Sequence, residues 1–208
     1  MMKNINANKV TKTIIFLCTL LLIVLAFVLI QNNKKDMASL TIIRQKADSV
    51  IDPDNPREVV GFADYYFVAK VIKTVKTDYR NSVVVETSTG RKEISIPYTI
   101  YEMSVVKNIK GALPTDHDIQ VTKAGGLMKD NSAILLFEDD LMPEYDKTYI
   151  IAASVQPNGE ILISGSNALQ EVPGLDQSSN TEDLFGIYTA FYEEEVYFQR
   201  ARYTSKYD

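Results

Sequence analysis

The chain has 208 residues, 27 of them acidic and 22 basic, with a single cysteine and a single histidine. Beyond residue 30 the balance is 19 basic against 27 acidic residues, a net charge of −8 that repels phosphate backbones and makes nucleic acid a poor partner. One cysteine excludes an internal disulfide, and with no thiolate zinc set, Walker loop, nucleophile elbow or HExxH helix, neither a cofactor nor a metal is expected.

Residues 13–30, TIIFLCTLLLIVLAFVLI, carry no charge, proline or glycine. At ~1.5 Å per residue they cover about 27 Å, close to the hydrocarbon thickness of a bilayer, and so predict a transmembrane helix. The run exceeds the roughly 7–15 apolar residues of a cleavable signal, no A-x-A site follows, and Leu17 before Cys18 argues against lipidation. An uncleaved signal anchor is therefore expected. Lys3, Lys9 and Lys12 on one side nearly balance Lys34, Lys35, Arg44 and Lys46 on the other, so the lysine and arginine bias decides little. The short leading tail, residues 1–12, is assigned to the cytoplasm and the C-terminal domain to the outside of a single-pass cell-membrane protein.

Residues 31–56 read as a juxtamembrane stalk, with Leu40, Ile43 and Ala47 at helical spacing between residues 37 and 50. Asp52-Pro53-Asp54-Asn55-Pro56 ends any helix there, because each proline lacks a donor and pushes its predecessor to extended geometry. A β-domain is expected over residues 57–172. Asp64–Lys76 has period two, with Tyr65, Phe67, Ala69 and Val71 on one face and a wetter opposite face. Val83–Thr87 and Lys92–Ile96 flank a glycine turn and read as an inserted hairpin ended by Pro97. Thr99–Ile109, Ile119–Val121 and Ala133–Phe137 follow, with Gly125-Gly126 as a positive-φ turn. Tyr149–Val155 and Ile161–Ile163 flank Pro157-Asn158-Gly159, a hairpin signal. Residues 173–208 comprise a linker and a C-terminal helix from Thr181 to Ala201, with Leu184, Ile187, Tyr188 and Phe191 as its apolar stripe and Arg200, Arg202 and Lys206 complementing its dipole.

Short strands without intervening helices predict a mainly β fold, an antiparallel closed or nearly closed barrel. Ala63-Asp64-Tyr65 leading into Phe67-Val68-Ala69-Lys70-Val71, then Tyr101 through Gly111, then Leu141-Met142-Pro143 with Lys147 through Ala153, is similar to the netrin-like, OB-type barrel of tissue inhibitors of metalloproteinases. The likeness covers Val59 to Val172 and extends to membrane-anchored surface proteins of Gram-positive bacteria. It implies a TIMP-like barrel but not protease inhibition, which in that family needs an amino-terminal cysteine that this domain lacks.

Among chemistry-bearing residues, His117 between Asp116 and Asp118 has no second histidine or cysteine to complete a metal set and reads as a solvated turn. Glu138-Asp139-Asp140 is the densest acidic cluster; it reads as an exposed loop, with cation binding or an acid–base pair as the sharper alternatives. Tyr203 and Tyr207 lie beyond the apolar stripe and are candidate interface residues. The expectation is a non-catalytic binding domain at the cell surface, with the membrane and a surface protein, peptide or wall component as partners. A carboxylate-dependent wall or surface-peptide enzyme acting through Glu138, Asp139 or Asp140, and an accessory subunit of a membrane complex, are the alternatives.

Overall fold

The computed structural model describes residues 16, 19–22, 40–46, 48–87, 90–172 and 181–208. Most of the predicted anchor, residues 13–30, and the predicted linker, residues 173–179, lie outside them. Phe16 and Thr19–Leu22 are helical, and Phe16, Leu20, Leu21 and Leu22 are all exposed. Among the described residues no helix is long and apolar enough to cross a membrane.

The fold is mainly β. Its strands are β1 (Thr41–Gln45), β2 (Tyr65–Thr87), β3 (Gly90–Lys110), β4 (Ile119–Ala124), β5 (Gly126–Leu127), β6 (Ala133–Phe137), β7 (Thr148–Val155), β8 (Ile161–Ile163) and β9 (Leu169–Glu171), with helices α1 (Pro56–Phe62) and α2 (Thr181–Glu193). Strands β2, β3, β4, β8 and β7 pair in that order, and β7 closes back onto β2 through six register pairs from Tyr65↔Ala153 to Lys70↔Thr148. The result is a closed five-stranded barrel. One seam differs from the fully antiparallel expectation: β4 and β8 run parallel, Thr122 opposite Leu162 and Lys123 opposite Ile163. A parallel neighbour is possible there because β7 intervenes between β4 and β8 in the chain and reverses direction at the Asn158-Gly159 turn, where Gly159 has φ +80°.

Alternation sets the interior. Phe67 and Val71 on β2, Met103 on β3, Val121 on β4, Ile151 on β7 and Ile163 on β8 point into the barrel and are at most 1% exposed. Burial of each such side chain is worth about 1.5–3 kcal/mol relative to exposure. The expected wet face of β2 is dry at its start. Tyr66 and Val68 are buried in a second cluster with Val59, Val60, Ile150 and Ala152, roofed by Phe185, Tyr188 and Phe191 of α2. Both faces of β2 are thus covered there, which a single-face alternation rule cannot register. On α2, Phe185 joins the buried stripe, whereas the expected Ile187 is 53% exposed.

Three boundaries depart from the sequence reading. The predicted stalk helix is replaced by strand β1, built on the β-branched run Thr41-Ile42-Ile43; Gln45 accepts a hydrogen bond from the Glu138 N–H at 3.1 Å, a sheet edge that only the folded chain supplies. The proline-rich break also starts a helix: Asn55 caps α1 through the Arg57 N–H, and Pro56 occupies its first turn, where no donor is needed. Pro97 does not end a strand. β3 runs through it, Pro97 opposing Tyr79, so β2 and β3 form one long ribbon with register shifts, including one between Arg80 and Val83 where Asn81 has φ +54°.

The helix α2 stops at Glu193, eight residues before the expected Ala201, and the chain returns to the barrel as an extended strap. Val196 N–H donates to the Arg57 carbonyl at 3.1 Å. Arg200 and Arg202, expected to face the helix dipole, instead reach the Asp64 carboxylate at 2.7 and 2.8 Å. Their positive charges serve a partner 136 and more residues away, which overrides the weak dipole term.

Candidate binding groove and the placement of the acidic cluster

The acidic cluster does not converge. Asp139 is exposed at φ +56°, and Glu138 is exposed enough that its pair with Lys46, at 4.0 Å, lies in solvent. Asp140 points inward. Alternation along β4 sends Ile119, Val121 and Lys123 to one face, the barrel interior, and at the barrel end Lys123 meets Asp140. Both side chains are completely buried. Lys123 also donates to the Ala124 carbonyl at 2.8 Å, and Asp140 accepts from the Leu141 N–H at 2.9 Å. The exposed-loop expectation is therefore corrected for Asp140: the loop between β6 and β7 plugs the barrel, with Leu141 and Met142 packed on the core. Burial pushes the Asp140 carboxyl above its ordinary range and the Lys123 ammonium below its own, each opposed by the other's charge. Arg44 fastens β1 to this plug by donating to the Phe137 and Asp140 carbonyls at 3.2 and 2.9 Å.

Tyr203 is 45% exposed on the strap. Tyr207 is half-buried against the core, and its hydroxyl accepts the Gln120 N–H at 2.6 Å. The two tyrosines expected to share an interface thus have different surroundings. Nearby, the Tyr65 hydroxyl donates to the Asp208 carboxylate and accepts from the Ser205 hydroxyl, and burial together with the Asp208 carboxylate pushes its pKa up to about 12. His117 lies on the surface and contacts only Asp116, at 2.7 Å. Among the described residues no group of three or more His, Cys, Asp and Glu side chains could hold a metal ion.

A concavity lies elsewhere among the described residues, in a region without a chemical motif. A groove of about 380 Å³ runs between the segment 48–53, α1, the outer face of β7 and β8, and the loop after β8. Its apolar lining includes Val59, Phe62, Ala152 and Leu162, and Phe137 adds a second phenyl ring. Ser49, Ser154, Ser164 and Ser166 supply hydroxyls. Asp48 is the one ionisable residue of the lining. Phe62 is held in place by Arg200, whose guanidinium lies 4.9 Å from its ring centre and donates to its carbonyl at 2.7 Å, and by Phe198 in an edge contact at 5.8 Å. A second cavity of about 140 Å³ abuts the first, sharing Pro53, Val59, Ala152 and Ala168 with it. The roof between them is pinned by Asn167, whose amide donates to the Pro53 carbonyl and the Asp54 carboxylate, each at 3.0 Å. Sequence reasoning missed the groove because its residues come from five separated stretches and are individually ordinary.

The chain matches no known protein family, and no curated protein matches it in sequence.

Proposed function

We propose that the protein is a membrane-anchored binding domain, displayed outside the cell, that holds a small ligand or a segment of a partner in the groove beside α1. The observation that carries this reading is the groove itself: a concavity of about 380 Å³ falls within the range of about 300–1,000 Å³ usual for ligand sites, and it combines an apolar floor with a few hydroxyls. The anchor rests on the uniform apolarity of residues 13–30 and on the exposure of Phe16 and Leu20–Leu22, side chains that a bilayer would cover. The barrel reading is OB-like. Counting only its five strands, the order is first, second, third, fifth, fourth and back to first, with the third and fifth parallel, and this connectivity supports the likeness read between Val59 and Val172.

The carboxylate enzyme has less in its favour, because Asp140 is committed to Lys123 and Glu138 and Asp139 are both exposed. Impermeant maleimide labelling of Ser132→Cys in a Cys18→Ser background, on intact cells, tests the display: labelling before lysis is expected, and labelling only after lysis refutes it. An Asp139→Asn variant that abolishes hydrolysis of a surface polymer would favour the enzyme instead.

A further inference from the structure

We infer that the groove takes a neutral saccharide, a mono- or disaccharide unit; this rests on the binding-domain reading and names its ligand class. The lining excludes other classes in turn. It contains no basic residue, and Arg200, which reaches the lining Ser154 hydroxyl at 3.4 Å, is already neutralised by Asp64 and bound to the Phe62 carbonyl, so phosphates and carboxylates have no free counter-charge in the lining. Asp48 is exposed at the rim and too isolated to select a cation.

An extended peptide is disfavoured by the backbone. Peptide strands dock by pairing with a free sheet edge, yet the main chain under the groove is already spent. Ala152 donates to the Ala168 carbonyl at 2.8 Å and opposes Tyr66; Ser154 opposes Leu162; Gln156 donates to Glu160 at 2.8 Å. β8 is paired on both sides, with β4 and with β7. Recognition must then come from side chains. A plain alkyl chain would leave the hydroxyls facing hydrocarbon, which is unfavourable for polar groups without partners.

What remains is a set of uncharged polar groups around two phenyl rings. Ser164 has no hydrogen-bond partner among the described residues, and Ser154 has only the long 3.4 Å contact from Arg200. Gln156 adds an amide that both donates and accepts. A hydroxyl accepts and donates at once, as sugar hydroxyls do, while the C–H faces of a pyranose suit the apolar surface of Phe62, Phe137 and Leu162. The groove volume suits one or two rings, not a polymer.

Isothermal titration of the full chain in lipid nanodiscs, with empty nanodiscs as reference, tests this with di-N-acetylchitobiose, maltose and N-acetyl-tetraalanine amide as probes. Binding of at least one saccharide is expected, weakened about tenfold in the Ser154→Val/Ser164→Val double variant, the loss of one to two hydrogen bonds. Saccharide binding unchanged by that variant puts the sugar elsewhere and overturns the inference. Binding of the peptide alone overturns the saccharide but keeps the groove as a binding site. If none of the three binds, the groove reading fails with it. A circular-dichroism melt of the double variant separates loss of the site from loss of the fold.

Discussion

Asp140→Asn removes the negative charge from the buried pair and leaves the Lys123 ammonium inside the barrel end with neutral acceptors alone, the Ala124 carbonyl at 2.8 Å and the new amide oxygen. Because both side chains are completely buried, water cannot take over, and breaking such a pair costs about 3–5 kcal/mol. Domains of this kind are stable by about 5–15 kcal/mol, so the loss is a large fraction of the whole. With a urea slope of about 1–3 kcal/mol/M, the midpoint should fall by about 2 M. The double variant Lys123→Met/Asp140→Leu, apolar beside Leu141 and Met142, should stay within about 1 kcal/mol of the parent or exceed it. The pH response supplies a second check. Desolvation holds the folded Lys123 below its ordinary pKa of 10.5, so between the folded and the ordinary value the unfolded chain binds more protons than the folded one, and stability of the single variant rises with pH across that window. Asp140→Asn should therefore be less damaged as pH rises through that window toward 10.5. A loss under about 1 kcal/mol, or a double variant as weak as the single one, would refute the plug.

The Glu160 carboxylate, which accepts from Arg80 at 2.6 and 2.8 Å and from Thr122 at 2.6 Å, is held below its ordinary range chiefly by Arg80. Its contribution is present above the unfolded pKa of 4.5 and disappears as pH falls through the depressed folded value; Glu160→Gln should cost about 1–2 kcal/mol at neutral pH and flatten that acid limb in chemical denaturation. Gly61→Ala should destabilise despite better helix propensity, since its Cβ would collide with the Val196 carbonyl, and limited proteolysis should then cut within residues 194–208. Gly186→Ala in α2, where a Cβ meets nothing, should instead gain about 0.5–1 kcal/mol in chemical denaturation. Tyr207→Phe takes the acceptor from the Gln120 N–H and should lower the melting temperature by the equivalent of about 1 kcal/mol, whereas Tyr203→Ala, on the surface, should stay within about 0.5 kcal/mol.

What was legible in the sequence is what depends on neighbours along the chain. Period two in Tyr65, Phe67, Ala69 and Val71 marked the inward face of β2, Asn158-Gly159 marked the turn between β7 and β8, and Leu184, Tyr188 and Phe191 marked a helix. The apolar length of residues 13–30 is likewise a local property; most of that run lies outside the described residues, and its reading as an anchor rests on the sequence alone.

The rest required the chain to close on itself. Asp140 belonged to an acidic run by sequence and became a buried counter-ion only because β4 aims Lys123 down the barrel axis side at the same end. Tyr66 and Val68 look like an outer face until α1 and α2 cover them. Arg200 and Arg202 read as helix-end charges, yet a carboxylate at Asp64, held by the Val155 N–H at 2.7 Å, offers them stronger partners than a helix terminus can. The groove is the extreme case. Ser49, Phe62, Phe137, Ser154 and Ser164 share no pattern, and only barrel closure, which sets β7 and β8 beside α1 and the segment 48–53, makes them one surface.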